Sequence, residues 1–271
     1  LAHYESSFEK LVAQMPADGT IVVSATWPNA VRLAKTSKAR VITYSAKDGV
    51  DADVTPSHLR LGPEGARFGV TMNQQPAGSV LLPMAGAHNV ENALGVYAAA
   101  LSLGLTQDEI AHGMATFGGV KRRQEERGEP NGILVIDDFA HHPTAVKETI
   151  AGVAARYPGR RLWAIFEPRS NTSRRNIHQD DYAHAFTGAA RASIKVPERH
   201  DKIPQGEELD VPRLAKELTA QGIPSTAETT VAAMLDEVTR DAKRGDVLLV
   251  MSNGAFGGFI DTLLQRLGSS T

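Results

Sequence analysis

The sequence predicts an α/β protein in two parts: a C-terminal Rossmann-like, doubly wound domain with a mostly parallel sheet, preceded by an α/β domain that contains a small β meander. Three observations predict it. From residue 133 onward, short apolar runs alternate with amphipathic helical patterns, as βαβ crossovers over a parallel sheet require. Between Asp53 and Leu82, strand-like runs are separated only by turn-forming residues. The two textures meet at Gly128-Glu129-Pro130-Asn131-Gly132, a cluster of turn formers that sets the domains at 1–127 and 128–271.

In the first domain, Phe8, Leu11, Val12 and Met15 fall at helical spacing, and Ile21-Val22-Val23 and Arg40 to Tyr44 follow as short strands. The meander turns at Gly62-Pro63-Glu64-Gly65 and at Gln74-Gln75-Pro76-Ala77-Gly78. Ala85 to Leu103 reads as a helix closed by Gly104, and Thr106 with Asp108 and Glu109 opens the next. In the second domain, strands at 133–136, 161–166, 191–196 and 246–251 alternate with helices at 143–157, 178–187, 211–221, 229–243 and 257–267. Pro143 suits a first helical position, where its missing N–H is not needed.

Composition excludes several classes of function. Lys and Arg number 29 against 31 Asp and Glu, so no basic face is available for nucleic acid. The longest apolar runs, such as Val247 to Met251, fall far short of the roughly 20 residues that span a bilayer, so no membrane partner is expected. With no cysteine, disulfides, thiolate metal sites and a cysteine nucleophile are excluded, and a reducing, cytoplasmic compartment is expected. The chain opens Leu1-Ala2-His3 without an initiator Met, which suggests a piece of a longer protein.

In a doubly wound sheet, ligands gather beyond the carboxyl ends of the strands, so the residues there carry the functional information. The first strand runs into Asp137-Asp138-Phe139-Ala140-His141-His142-Pro143. Two acids and two imidazoles suit a bound nucleotide; the alternative is a helix cap with solvated histidines. A His/Asp metal site lacks a third ligand at recognisable spacing, so no metal ligand is assigned. The second strand ends in Glu167-Pro168-Arg169-Ser170-Asn171-Thr172-Ser173-Arg174-Arg175. Its guanidiniums match a carboxylate or phosphate, or else form a solvated loop. The last strand ends in Ser252-Asn253-Gly254-Ala255-Phe256-Gly257-Gly258, whose small residues let backbone N–H groups approach a ligand. In the first domain, His88-Asn89-Val90-Glu91-Asn92 starts a helix whose amides either cap it or read a purine edge. Lys121-Arg122-Arg123 either reaches a bound phosphate or is a solvated charge run.

His88-Asn89-x-x-Asn92-Ala93-Leu94, Phe117-x-Gly119-Val120-Lys121-Arg122-Arg123 and Asp137-Asp138-Phe139-x-His141-His142-Pro143 together resemble the Mur ligase family in order and spacing. These are ATP-dependent, amide-forming enzymes of bacterial cell-wall peptide synthesis. The similarity runs from about Phe8 to Leu267, and is closest to the branch that acts on UDP-N-acetylmuramate. Phe166 to Thr172 and Met251 to Gly258 resemble the members that recycle murein peptide. The resemblance implies a ligase that joins the murein tripeptide L-Ala-γ-D-Glu-meso-diaminopimelate to UDP-N-acetylmuramate through an acyl phosphate, with ATP and Mg²⁺ as cofactors. A ligase that adds L-alanine to the same sugar nucleotide, and a non-catalytic module that binds a nucleotide or acidic peptide, are the alternatives. A nicotinamide-dependent oxidoreductase is disfavoured, because no Gly-x-Gly-x-x-Gly follows the first strand of the second domain.

By the same resemblance, Asn89 and Asn92 face the adenine and His88 orders that helix start. Arg122 and Arg123 reach the ATP phosphates, and Asp138 and His141 approach the nucleotide, so that Arg123, Asp138 and His141 form the catalytic set. Arg169, Ser170, Asn171, Thr172, Arg174, Ser252, Asn253 and Gly254 form the peptide side. Phe139 stands where the family commonly has Tyr. No Gly-x-x-x-x-Gly-Lys-Ser/Thr phosphate loop occurs in the sequence. Residues 1–127 are therefore expected to be the later part of the family's central ATPase domain, and the chain alone is expected to be inactive.

Overall fold

Runs of β-branched residues set the first sheet. Thr20–Ser24 (β1) and Arg40–Tyr44 (β2) pair in parallel, Ile21 opposite Val41 and Val23 opposite Thr43, after the helix Ala2–Ala13 (α1). Their crossover is Pro28–Ala34 (α2), a helix that the sequence reading does not place; Pro28 supplies the preset φ of its first turn. Val54–Gly62 (β3), Gly65–Met72 (β4) and Gln75–Leu82 (β5) form the antiparallel meander, in the order β1-β2-β3-β4-β5. The second turn differs from the expected 74–78. It lies at Asn73 and Gln74, both left-handed with φ of 49° and 65°, and β5 already begins at Gln75. Pro76 is tolerated there because β5 is an edge strand.

The helices Ala87–Ser102 (α3) and Gln107–Ala115 (α4) bury Val90, Leu94, Tyr97 and Ile110 against Val54, Phe68, Val70 and Val80. Thr106 and Glu109 form the capping box that opens α4. This computed structural model describes residues 2–84, 86–198 and 203–269, so Ala85, the expected start of α3, lies outside the described residues.

The chain divides into two compact units, Leu1–Gly118 and Gly119–Thr271. The division precedes the joint read at 128–132 because Glu125–Gly128 (β6) is itself a strand of the second sheet, antiparallel to Leu134–Asp138 (β7). Pro143–Arg156 (α5), Leu162–Glu167 (β8), Gln179–Ala185 (α6), Arg191–Lys195 (β9) and Val211–Ala220 (α7) follow. Ser225–Glu228 (β10), Val231–Asp241 (α8), Val247–Ser252 (β11) and Phe259–Ser269 (α9) complete the unit. The order is β10-β9-β8-β11-β7-β6, with every pairing parallel except β6 with β7.

Both faces of this sheet are covered, which is why β7, β8 and β11 carry apolar runs. Leu134, Ile136 and Leu249 pack against α5, α6 and α7 through Val146, Ile150, Tyr182 and Leu214. Val135, Leu248 and Val250 face the other way, onto Val238, Phe259 and Leu263 of α8 and α9. β11 lies between β7 and β8, in a register that sets Met251 opposite Asp138 and Ser252 opposite Glu167. Three strands therefore deliver their polar ends to one edge.

Candidate active site

At that edge, Ser252 is 2% exposed. Its hydroxyl donates to Glu167 Oε2 and accepts the Gly254 N–H at 3.0 Å, folding the chain sharply after β11. A Cβ on Gly254 would lie 2.3 Å from Cδ of Arg169, so the arginine side chain lies directly across this glycine. The exposed Arg169 guanidinium meets no carboxylate among the described residues. Beside Gly254, Asn253 keeps its Oδ1 buried with no hydrogen-bond partner.

The loop after β8 is folded by Ser170, whose hydroxyl donates to Ser173 Oγ at 2.9 Å and accepts the Ser173 N–H at 3.0 Å. Asn171 and Thr172 project from this turn and are exposed. Its guanidiniums then divide. Arg175 pairs with Glu207, whereas the half-buried Arg174 has no carboxylate partner among the described residues, and its Nε is buried without an acceptor. Two of the three basic groups are therefore available to a ligand's anions.

The Asp-Asp-Phe-Ala-His-His segment turns its members in different directions. Asp138 is 2% exposed, and its oxygens accept the N–H groups of Gln124 at 2.8 Å and Ala140 at 2.7 Å. It ties the basic segment to the end of β7; the cap of α5 is instead His142, whose Nδ1 accepts the Thr144 N–H. Asp137, on the opposite face, is 4% exposed. Burial raises its pKa above the ordinary carboxylate range, and the charges of Arg122 and Arg127 oppose that rise. Both arginines, with Phe256, Ile260 and Asp261, line a cavity of about 200 Å³.

Arg122 and Arg123 part company. The Arg122 guanidinium turns inward, where Nη2 donates to the carbonyls of Ser252 at 2.6 Å and Gly254 at 2.7 Å. Arg123 stays exposed with its guanidinium 5.7 Å from the Phe139 ring centroid and no carboxylate partner among the described residues, which fits a phosphate ligand. Phe139 supplies an aromatic platform without needing a hydroxyl, since Arg122 rests on the same ring at 5.2 Å.

His141 is half-buried, with Nδ1 3.0 Å from the Phe139 carbonyl. The His142 ring meets His178 at 4.7 Å between centroids. Burial, then the neighbouring His178 and His141, push the His142 pKa below the usual imidazole value, against the opposing charge of Asp181. The folded state thus favours neutral His142. This contribution to stability is present above the unfolded pKa of about 6.5 and is lost as the pH falls through the depressed folded value. The urea midpoint is expected to drop on acidification below about pH 6.5. The drop should be shallower in His142→Asn, which keeps a capping side chain; an identical pH profile in that variant would contradict the assignment.

In the first unit, the first turn of α3 carries the half-buried His88; Asn89 is 8% exposed, and Asn92, one turn on, is exposed. Sequence reasoning missed the residue between them. The Glu91 carboxylate accepts from the Ser24 hydroxyl at 2.5 Å and from the Ala46 N–H, fastening the first turn of α3 to the ends of β1 and β2. Its only signal in the sequence is an acidic residue within the His-Asn-x-x-Asn run.

Among the described residues, no three His, Asp or Glu side chains converge as a metal site. No helix among them is long and apolar enough to cross a membrane.

Comparison with known proteins finds two matching domains in this chain. The Mur ligase middle domain matches residues 1–100, and the Mur ligase, glutamate ligase domain matches residues 122–254. The UDP-N-acetylmuramate–L-alanyl-γ-D-glutamyl-meso-2,6-diaminoheptandioate ligase of Escherichia coli is 32% identical over 97% of this chain and 54% of its own length. The UDP-N-acetylmuramate–L-alanine ligase of Phenylobacterium zucineum is 31% identical over 92% of this chain and 53% of its own. The crystal structure of a murein peptide ligase from Psychrobacter arcticus superposes with a TM-score of 0.66 at 32% identity, covering 98% of this chain and 55% of that one. The chain spans about half the length of the curated relatives it matches. With two Mur ligase domains matched in sequence order and that likeness extending along nearly the whole chain, the protein belongs to the Mur ligase family.

Proposed function

We propose that this chain carries the peptide-accepting domain, and an adenine-facing part of the ATP domain, of an ATP-dependent ligase that joins L-Ala-γ-D-Glu-meso-diaminopimelate to UDP-N-acetylmuramate. The observation that carries the reading is Arg169, a guanidinium with no carboxylate partner among the described residues, laid over Gly254 at the strand edge where Ser252 and Glu167 emerge. A substrate carboxylate supplies the missing counter-charge in a planar, two-bonded pair. Asn253 Oδ1, buried and unpartnered, is an acceptor for a substrate N–H.

When bound, ATP would supply the phosphoryl group that activates the sugar-linked carboxylate, and phosphate would leave as the peptide's amine forms the amide. In this reading Arg123 stabilises negative charge on the phosphates from its Phe139 platform. Asn89 and Asn92 address the adenine and His88 holds their helix start. Asp138 and the His141 segment hold the end of β7 in place beside Arg123.

The relatives include a ligase named for L-alanine at similar identity, which makes L-alanine the second reading. Two guanidiniums without carboxylate partners among the described residues, Arg169 and Arg174, favour the tripeptide, because L-alanine offers one carboxylate and the tripeptide several. Calorimetric titration of the 271-residue chain separates the two. Tripeptide binding that excess L-alanine does not displace is the expected result. Displacement by L-alanine at comparable concentration would transfer the assignment to the L-alanine ligase.

A further inference from the structure

Arg122 combines features that a phosphate-binding residue does not need. Its backbone is left-handed, at φ 59°, which is uncommon for a residue with a side chain and persists only where its surroundings hold it. Here they do. The Arg122 N–H donates to Glu125 Oε2 at 2.7 Å, and its carbonyl accepts the Phe139 N–H at 2.8 Å. The side chain is equally committed. Nη2 serves the Ser252 and Gly254 carbonyls at 2.6 and 2.7 Å, Nε faces Asp137 at 3.6 Å, and the guanidinium rests on the Phe139 ring.

These contacts join two parts of the site that are 130 residues apart in sequence. On one side is Arg123, the next residue, sharing the same aromatic ring. On the other is Gly254, against which Arg169 lies. We infer that Arg122 is a positioning residue: it clasps the Ser252–Gly254 turn to the segment bearing Arg123, and so sets the guanidinium that takes the peptide carboxylate relative to the one that takes phosphate. The inference rests on the reading of Arg169 as the peptide-carboxylate group. The described contacts of the Arg122 side chain are all with the protein itself. The planar fork spreads these contacts over two nitrogens, Nη2 on both carbonyls and Nε toward Asp137, a span that the single nitrogen of an ammonium does not reproduce.

The test uses the 271-residue chain with Arg122→Lys, which keeps a positive charge beside Asp137, and with Arg122→Gln. Amide hydrogen exchange across 252–258 is expected to speed up by about tenfold in both variants, with β8 and α5 unchanged. Tripeptide affinity is expected to fall by about tenfold in Arg122→Lys, and the double variant with Arg169→Ala should bind no worse than Arg169→Ala alone. A residue acting only on overall stability would not give that non-additivity. Unchanged exchange across 252–258 overturns the inference, as does a double variant whose losses simply multiply. If the parent chain binds no tripeptide while Arg122→Lys still loosens 252–258, the clasp stands and the peptide reading falls.

Discussion

Arg169→Ala is expected to weaken tripeptide binding on the order of a hundredfold while leaving the unfolding midpoint nearly unchanged. The two halves of that expectation share one cause. Arg169 pairs with no carboxylate among the described residues and is exposed, so its removal strands no internal charge. In the complex it supplies a two-bonded, charge-assisted contact to a carboxylate, and truncation there leaves the anion without its counter-charge. Arg169→Lys is expected to recover only part of the loss, since an ammonium restores charge but not the fork. Calorimetry for binding and urea denaturation for stability check both halves. A large fall in stability with unchanged affinity would assign Arg169 to the fold instead.

Asp138→Ala is expected to show the reverse, a loss of stability of about 2–5 kcal/mol. The carboxylate is buried and answers two backbone N–H groups, those of Gln124 and Ala140. Without it, both donors lie buried and unmet, and the segment bearing Arg122 and Arg123 loses one of its ties to β7. Asp138→Asn is expected to cost less, because its amide oxygen still accepts one of them. Urea denaturation of the three proteins measures the series. A stable Asp138→Ala would mean that water or a neighbouring group answers those N–H groups, and that Asp138 is free to act on a ligand directly.

How much of this was legible in the sequence depends on where burial left a pattern. β7, β8 and β11 lie inside a sheet covered on both faces, so their apolar runs announce them, whereas the inner strand β9, Arg-Ala-Ser-Ile-Lys, shows only through its place in the β-α alternation. β6 and β10 are edge strands with the sequences Glu-Glu-Arg-Gly and Ser-Thr-Ala-Glu; polar edges carry no such pattern and neither was placed. The turn at Asn73 and Gln74 was displaced toward Pro76, because a proline reads as a breaker unless its strand is known to lie at an edge. At the site, the shared location of the three strand ends followed from the doubly wound pattern alone. The direction of each side chain did not. Arg122 and Arg123 are adjacent and chemically identical, yet one turns to carbonyls at the far end of the chain and the other to solvent. Only tertiary register separates them.

The central claim is that Arg169 receives a carboxylate of the peptide substrate. Two-dimensional ¹H–¹⁵N spectra of the arginine side chains, recorded while the tripeptide is added to the 271-residue chain, address it directly. The account predicts that the Arg169 Nε–H resonance moves downfield and saturates with the same Kd as calorimetry, while that of Arg175, already paired with Glu207, stays in place. An Arg169 resonance that does not move while the tripeptide binds would contradict it.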